Sequence, residues 1–401
     1  MGQRPNPAGV MPRSRVDRSG PRRRSIGALA LWAATALPGV ACGDPALSGS
    51  GSSGTPDLWV AADGGQQQDG AASDVPGGLS TDSVGETAGE SGDGHNDASP
   101  DAVGCVPQCQ GVVPRITATR YPIVLAHGAG GWDNVGPLEY WWRVAEHLGE
   151  NGFGAYTAQV DPFNATSVRA QQLAAFVDAV LACNCASKVN LIGHSQGGLD
   201  ARYLVSSLGY GDRVASVTTI SSPHRGTEVA DAVWDLMNDK WVPGFTNDLV
   251  NFVLFFVGGA LNDPFADPNF QAQIATMTTW GMVDFNAENA DDARVAYFSW
   301  AGRAGFTATG NEVCAAGEVP NPDNSNPMFG LMVPLWTLMG GLEGVANDGL
   351  VRVSSAQWGR FRGCVPADHL AEIGHPLSFT SGFEHRAFYL DIARFVEDEG
   401  H

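Results

Sequence analysis

Short apolar runs alternate with amphipathic segments along the chain from Val113 to His401. The apolar runs have the length and composition of strands buried on both faces, and the segments between them repeat apolar residues at helical spacing. Such alternation is typical of a parallel sheet covered by helices. The pattern therefore predicts an α/β domain with a mostly parallel central sheet flanked by helices, and we assign it to residues 105–401.

The same periodicity predicts the bounds of the individual elements. The predicted strands are Tyr121–Ala126, Ala155–Val160, Lys188–Gly193, Val214–Ser221, Arg294–Trp300 and Gly349–Val353. The predicted helices are Pro137–Gly149, Ser167–Ala182, Gln196–Ser207 and Arg386–Glu397.

An insertion at about 228–280 interrupts this alternation and contains the nearly continuous apolar run Leu249–Val257. As a core helix, the run needs apolar cover on all sides. As a lid, it covers a site in water and meets lipid when the site opens. Polar residues on both sides keep the run below the length that spans a membrane. The sequence does not decide whether this run is a core helix or a lid.

The N-terminal 42 residues have the pattern of an export signal. Seven arginines lie within the first 24 residues, and the apolar stretch Ile26–Ala41 follows them. A basic segment before a short apolar one is typical of a secretory signal peptide. Gly39–Cys42 resembles the lipobox of bacterial lipoproteins, in which the cysteine is acylated, so Cys42 is the predicted lipidation site. The alternative is an ordinary signal peptide and a secreted protein.

Residues 43–104 contain eleven acidic residues and no lysine or arginine. A segment this rich in Gly, Ser, Ala, Asp and Pro buries too little apolar surface to offset its ordering entropy. We predict a disordered linker, which behind an acylated Cys42 would tether the domain to the outer membrane or cell surface. The formal net charge of −20 argues against a nucleic-acid partner.

Six cysteines lie in the predicted domain, and export through an oxidising compartment favours disulfides among them. They are Cys105, Cys109, Cys183, Cys185, Cys314 and Cys364. Six cysteines allow fifteen pairings, and the sequence does not choose among them. A zinc site is disfavoured by the exported context and by the lack of a nearby histidine cluster.

Gly193-His194-Ser195-Gln196-Gly197 lies between a predicted strand and a predicted helix. This is the strand–turn–helix setting in which a G-x-S-x-G serine becomes a nucleophile. Glycines at both ends relieve crowding in a tight turn. Ser195 is therefore the predicted nucleophile, and the alternative is a passive serine in a glycine-rich turn.

A serine hydroxyl needs a base to take its proton, and in α/β-hydrolases the order along the chain is Ser, acid, His. Asp348 lies in a tight turn before an apolar run and is the predicted acid. His369 is the predicted base, with His375 as the main rival. We expect His385 on a solvated helix face and Asp368 at the surface.

Stabilising an oxyanion requires two donors already in place. We predict the N–H of Gln196, directly after the nucleophile, and the N–H of Ala129, in the glycine-rich loop after the first strand. The alternative for this loop is a merely flexible connection, and His127 within it is predicted to be structural.

Five blocks occur in an order that resembles the true lipases of Pseudomonas and Burkholderia, secreted triacylglycerol hydrolases with the α/β-hydrolase fold. They are Tyr121–Gly128, Lys188–Gly198, Ser221–Gly226, Asn347–Val351 and His369–Glu372. The resemblance implies the same roles for Ser195, Asp348, His369, Ala129 and Gln196. It leaves open whether this chain needs a folding chaperone, as some of those lipases do.

Two departures from that family concern calcium and a disulfide. The family holds a structural calcium through an Asp two residues after the histidine, and Ala371 stands there. In the loop that supplies the other acidic ligand we find Asp323 among asparagines, whose oxygens also suit calcium. We nevertheless predict no metal and no cofactor. The family's cysteine after the acid is missing, and a Cys314–Cys364 bond is our hypothesis for what pins the histidine loop instead.

The sequence thus predicts an exported serine hydrolase that cleaves carboxylic esters, a lipase acting on acylglycerols at a lipid–water interface. A short-chain esterase, a polyester depolymerase and a thioesterase would share all these residues. A surface lipoprotein that keeps the fold as a non-catalytic binding module is the alternative from another class.

Overall fold

The computed structural model describes residues 105–131, 134–135, 138–257, 261, 263–305, 314, 328–375 and 382–401. All of them lie in the compact unit that spans residues 90–401. The predicted signal peptide at 1–42, with Cys42, lies outside the described residues, as do the predicted linker at 43–104 and Asp323.

Six parallel strands form the central sheet, and two very short strands form a separate hairpin. The strands are β1 Ile123–Ala126, β2 Asn134–Val135, β3 Leu138–Glu139, β4 Ala155–Ala158, β5 Val189–His194, β6 Val214–Ile220, β7 Ala296–Gly302 and β8 Arg360–Val365. The order in the sheet is β4-β1-β5-β6-β7-β8, and β2 pairs with β3. After β1 the chain forms β4 on one side of β1, and then β5 on the opposite side of β1. The switch point of the sheet therefore lies between β1 and β5.

Helices cover both faces of this sheet. They are α1 Val144–Glu150, α2 Thr166–Asn184, α3 Gln196–Ser206, α4 Glu228–Met237, α5 Thr246–Val257, α6 Pro268–Met277, α7 Gly281–Glu288, α8 Val333–Leu338, α9 Val353–Ala356 and α10 His385–Asp398. Side chains alternate along each strand, so Ile123 and Leu125 pack with α1 and α10, whereas Val124 packs with α2 and α3. The predicted fold class is confirmed.

The predicted strand Gly349–Val353 is wrong. The chain forms a turn there, and α9 begins at Val353. The Asp348 carboxylate accepts the N–H groups of Leu350 and Val351 at 2.8 and 2.7 Å, and Gly349 has φ of +96°. These two amides therefore donate hydrogen bonds within the turn and are not available to pair with a neighbouring strand.

The ends of the sheet also differ from the prediction. The edge strand β8 was missed, because its sequence Arg-Phe-Arg-Gly-Cys-Val has two charged residues and a glycine rather than a continuous apolar run. The predicted helix Pro137–Gly149 begins only at Val144, after the short strand β3, and Arg143 before it adopts a left-handed conformation.

Helices α4, α5 and α6 form a cap between β6 and β7, within residues 228–280. On α5, Leu249, Phe252 and Val253 are buried, whereas Leu254 and Phe255 are 53% and 40% exposed. The helix is therefore covered on one side only, which a helix in the middle of a core would not be.

Three disulfides join the six cysteines of this unit, as Cys105–Cys185, Cys109–Cys183 and Cys314–Cys364. The hypothesised Cys314–Cys364 bond is thus present. Disulfides of this number fit an exported protein. Within the described part of the chain, no helix combines the length and the apolar character needed to cross a membrane.

Candidate active site

Ser195 lies on a strained turn between β5 and α3, with φ of 54° and ψ of −129°. A side chain at position 193 would come within 2.5 Å of the Gly198 nitrogen, and one at 197 within 2.0 Å of the Ala126 carbonyl oxygen. Only glycine fits at both positions, because each neighbour is rigid backbone. The turn predicted from the motif is therefore present.

The glycine-rich loop after β1 lies beside this turn because β1 and β5 are adjacent at the switch point. Gly128 approaches so closely that a Cβ there would lie 2.7 Å from Cβ of Ser195. The amides around Ala129 are already used. Gly128 N donates to the Tyr140 hydroxyl, Gly130 N to Pro162 O and Gly131 N to Gly128 O.

Two backbone amides near Ser195 remain for a ligand. Among the described residues, the N–H of Ala129 has no acceptor. The N–H of Gln196 belongs to the first turn of α3, where amides lack intrahelical partners. Both predicted donors thus flank the Ser195 turn.

His369 and Asp348 form a buried pair, with 2.7 Å between Nδ1 and Oδ2. Asp348 is fully buried, and its other oxygen accepts the two turn amides described above. These contacts fix the carboxylate, which in turn orients the imidazole. His369 and Ser195 line the same cavity.

The rival residues occupy other environments. His385 is buried at the start of α10, with Nε2 2.9 Å from the Trp142 carbonyl oxygen, so its predicted solvated position is wrong. His375 is half-buried, and burial lowers the pKa of its imidazole. The predicted surface position of Asp368 is also wrong. Asp368 is buried, and it accepts the N–H groups of Phe329, Leu370 and Ala371 at 2.7–2.9 Å.

A buried polar chain beneath the site was missed from the sequence. The Tyr140 hydroxyl lies 2.7 Å from Nδ1 of His194, whose Nε2 lies 2.9 Å from Glu372 Oε2. The Ser221 hydroxyl donates to the other Glu372 oxygen at 2.7 Å and accepts the Gly302 N–H. The centroids of the His194 and His369 rings are 4.5 Å apart, so these hydrogen-bonded side chains lie directly against the His369–Asp348 pair.

Burial shifts the pKa values of the Glu372 and His194 side chains in this hydrogen-bonded group. It raises the pKa of the Glu372 carboxyl well above its usual range, and the neighbouring Asp348 charge raises it further. Burial also lowers the pKa of His194 well below the usual value. Both shifts favour the uncharged form, of the carboxyl group in Glu372 and of the imidazole in His194.

Arg169 was also missed. It is fully buried on α2, and its guanidinium donates to the Asp200 carboxylate at 2.8 Å. It also donates to the carbonyl oxygens of Asp161 and His127 at 2.6 Å and of Gly128 at 3.3 Å. One side chain thus ties the loop after β1 to the rest of the domain. An arginine on a helical face gives no signal of this in the sequence.

The cavity beside Ser195 is walled mostly by apolar side chains from the cap. Its apolar lining includes Val229, Val233, Phe252, Val253, Phe256, Phe270, Ile274, Met277, Leu350 and Leu370. On α5, Phe256 reaches the glycine-rich loop after β1, where it lies against Gly130. The inner face of α5 therefore forms part of the cavity wall, together with α4 and α6.

The calcium that the resemblance implies does not fit the described residues. Ala371 offers a buried methyl group where the family has a carboxylate. The Asp368 oxygens already accept hydrogen bonds from three backbone amides. The bond from Phe329 N joins the segment before α8 to the loop that carries His369. His194, His369 and Glu372 have donor atoms within 4.8 Å of one another, but a metal there would displace the His194–Glu372 hydrogen bond.

A parallel sheet with a nucleophile turn, a His–Asp pair and a capped apolar cavity defines an α/β-hydrolase. The family described as alpha/beta hydrolase fold matches residues 121–262. The Staphylococcus hyicus lipase structure is similar in fold, with a TM-score of 0.52 and 17% identity over 72% of this chain and 98% of that one.

Sequence comparison narrows the class. The triacylglycerol lipase of Vibrio cholerae is 34% identical over 287 residues, which cover 67% of this chain and 84% of that lipase. The triacylglycerol lipase of Burkholderia plantarii is 38% identical over 173 residues, which cover 42% of this chain and 48% of that lipase. The chain therefore belongs to the triacylglycerol lipase family and is an ester hydrolase. The resemblance found in the sequence is confirmed.

Proposed function

We propose that the protein hydrolyses acylglycerols through an acyl-enzyme on Ser195. His369 takes the hydroxyl proton as Ser195 Oγ attacks the ester carbonyl carbon. The tetrahedral intermediate collapses, the C–O bond to the alcohol breaks, and the imidazolium gives its proton to the leaving alcohol. Water then attacks the acyl-enzyme by the same route and releases the fatty acid. The 2.7 Å His369–Asp348 contact beside the strained Ser195 turn is the observation that carries this proposal.

In this proposal the N–H groups of Ala129 and Gln196 hold the oxyanion. Their support is that the neighbouring amides of the loop are already used, while these two are not. Asp348 keeps the imidazole in the tautomer that accepts the serine proton and stabilises its positive charge. No metal and no cofactor takes part, which agrees with the poor fit of the described residues to calcium.

The apolar cavity supports a lipid acyl chain as the group that binds there. The inner face of α5 lines that cavity, and Leu254 and Phe255 on the outer face of the helix are exposed apolar side chains. Further exposed apolar residues near the cap are Trp241, Trp280 and Val283. We propose that α5 is a lid, and that this apolar surface meets the lipid–water interface when the lid opens.

A p-nitrophenyl ester series from acetate to palmitate tests the reaction on the full chain, with Ser195→Ala beside it. Activity that peaks at long chains is expected, with a loss of at least about a thousandfold in the variant. EDTA should leave the rate unchanged. Activity on short chains only would indicate an esterase instead. A folded protein without turnover or labelling by a fluorophosphonate would support the non-catalytic binding module.

For localisation we propose a lipoprotein anchored through Cys42, with residues 43–104 as its tether. The support is the lipobox-like sequence before Cys42 and the acidic composition after it. Wild type should partition into the detergent phase of Triton X-114, and Cys42→Ser into the aqueous phase. Aqueous partitioning of wild type would indicate a secreted protein instead.

A further inference from the structure

The wall of the cavity beside Ser195 contains one polar side chain with an atom that neither the proposed mechanism nor a hydrogen bond among the described residues uses. Of the polar side chains in its wall, the Tyr140 hydroxyl bonds to His194, and the Thr227 hydroxyl donates to the Leu350 carbonyl. Ser195 and His369 are the reacting pair. The remaining polar residue of the wall is Gln273, a fully buried residue of α6 in the cap.

Hydrogen bonds fix the orientation of the Gln273 amide. Its Nε2 donates to the Pro162 carbonyl at 3.0 Å and to Gln196 Oε1 at 2.6 Å. Gln196 is itself oriented, because its Nε2 donates to the Asn164 carbonyl at 3.1 Å. Since each amide nitrogen faces a backbone carbonyl, which only accepts, neither amide can be turned around.

The Gln273 carbonyl oxygen, Oε1, is buried and has no hydrogen-bond partner among the described residues. Buried acceptors in folded proteins are nearly always paired, so an orphan in a binding cavity points to a ligand that donates. The nitrogen side of the amide faces Pro162 and Gln196. Gln273 lines the cavity that the acyl chain enters, and Oε1 is the one polar atom of its amide that these hydrogen bonds leave unused.

We infer that Gln273 is a specificity residue that accepts a hydrogen bond from a hydroxyl group on the acyl chain of the ester. The preferred substrates are then esters of hydroxy fatty acids rather than of plain ones. The contact between Gln273 and Gln196, the residue after the nucleophile, places this acceptor near the reacting end of the chain. This inference rests on the proposed function, since it needs the cavity to hold the acyl group.

The test compares kcat/KM for ethyl octanoate with kcat/KM for its 2-, 3-, 6- and 8-hydroxy derivatives, using the full chain. We expect one of the hydroxy esters near the carbonyl to be preferred by roughly tenfold, the ratio that one neutral hydrogen bond supports. Gln273→Met has a similar length without the amide, and it should abolish this preference. Gln271→Met, on the same helix and bonded to the Phe265 carbonyl, is the matched control and should preserve it.

The results distinguish three ways in which the inference could be wrong. Equal losses for plain and hydroxy esters in Gln273→Met would mean that Gln273 only supports Gln196, and the inference would fail. A second comparison measures kcat/KM for glycerol monooctanoate and for ethyl octanoate, which differ in the alcohol. If wild type prefers the glycerol ester and Gln273→Met does not, Gln273 binds a hydroxyl group of the alcohol, and the assignment to the acyl chain is overturned. Absence of any ester hydrolysis would instead contradict the proposed function itself.

Wild type alone provides a measurement that does not depend on the folding of a variant. Octanoate and its 3-hydroxy derivative are products of the same reaction series, and both should inhibit hydrolysis of ethyl octanoate competitively. We expect the hydroxy acid to bind several-fold more tightly. Equal inhibition, together with equal kcat/KM for every ester, would overturn the inference.

Discussion

Single buried polar residues hold the loops of the candidate site in place, and Arg169 is the clearest case. Its planar guanidinium reaches the carbonyl oxygens of His127 and Gly128, which precede Ala129, while it also pairs with Asp200. A lysine would keep the charge but has no fixed fork of donors. The loop that carries the proposed oxyanion donor would then lose part of its support.

We therefore expect Arg169→Lys to lower kcat about tenfold with a smaller change in KM, because a displaced oxyanion donor weakens the transition state more than substrate binding. Steady-state kinetics on a soluble ester measures both. Arg213→Lys is the matched control, since Arg213 pairs with Asp178 at the surface, where an ion pair contributes little. Equal effects of the two substitutions would contradict this role for Arg169.

His127 makes stability depend on pH. Burial, and secondarily the nearby Arg169 charge, lower the pKa of its imidazole from 6.5 to about 3. Above pH 6.5 the ring is neutral in both states, and its contacts to Gly128 O and Val160 N contribute fully. Between pH 6.5 and 3 only the unfolded chain binds the proton. Stability is then lost as the pH falls, by about 1.4 kcal/mol per pH unit.

His127→Asn removes this titration. We expect the variant to be less stable than wild type at pH 8, because ring contacts are lost, but to lose stability more slowly between pH 6 and 4. Urea unfolding at a series of pH values measures the free energy of unfolding directly. Parallel pH curves for the two proteins would show that His127 is not held neutral by burial.

At the scale of elements, α5 combines a buried inner face over the cavity with an exposed apolar outer face. We expect Leu254→Ser with Phe255→Ser to lower the rate on emulsified triacylglycerol several-fold and to leave hydrolysis of soluble p-nitrophenyl butyrate nearly unchanged. The reason is that in the proposed lid the outer face of α5 would contact lipid and not the reacting groups. Val113→Ser with Ile116→Ser removes two other exposed apolar residues and is the matched control. Equal losses on both substrates would contradict a lid.

The elements show which parts of the fold the sequence could predict. Strands β1, β5 and β6 are buried on both faces and consist mainly of apolar and small uncharged residues, so each was found. The edge strand β8 has two charged residues and was missed. Asp348 was predicted in a tight turn, but the residues Gly349–Val353 after it were taken for a strand, because Leu350 and Val351 read as an apolar run although the Asp348 carboxylate accepts their amides.

In the candidate site too, residues with a local sequence pattern could be predicted and residues without one could not. Ser195, Asp348 and His369 could be predicted because their motifs are local or follow a known order along the chain. The His194–Glu372 contact joins positions 178 residues apart, and the Gln196–Gln273 contact joins positions 77 apart. Such polar pairs have no local signal, since only the tertiary fold brings a histidine or glutamine to its partner.

At the scale of the whole molecule, disulfides close long loops in the chain. Cys314–Cys364 closes a loop of 50 residues and ends directly before the histidine loop. A loop of this length stabilises the folded state by about 4 kcal/mol in the chain-entropy description. Cys314→Ser with Cys364→Ser should lower the free energy of unfolding by an amount of this order, and also lower kcat. Unchanged stability and activity would contradict our hypothesis that this bond pins the loop.

The other two disulfides are nested, which predicts that their contributions are not additive. Cys105–Cys185 and Cys109–Cys183 close loops of 80 and 74 residues over nearly the same stretch. Either bond alone closes the long loop, so the second constrains only the few residues between the two bonds. By the chain-entropy relation, loss of one bond should cost about 2 kcal/mol and loss of both about 6 kcal/mol.

Denaturant unfolding of Cys105→Ser/Cys185→Ser, Cys109→Ser/Cys183→Ser and the fourfold variant tests this difference. The fourfold variant should lose more stability than the sum of the two double variants, because only it frees the long loop. Additive losses would mean that each bond acts through its own local contacts in the folded state. In that case the segment before β1 would be held by packing, and the entropy of the unfolded chain would contribute little to its attachment.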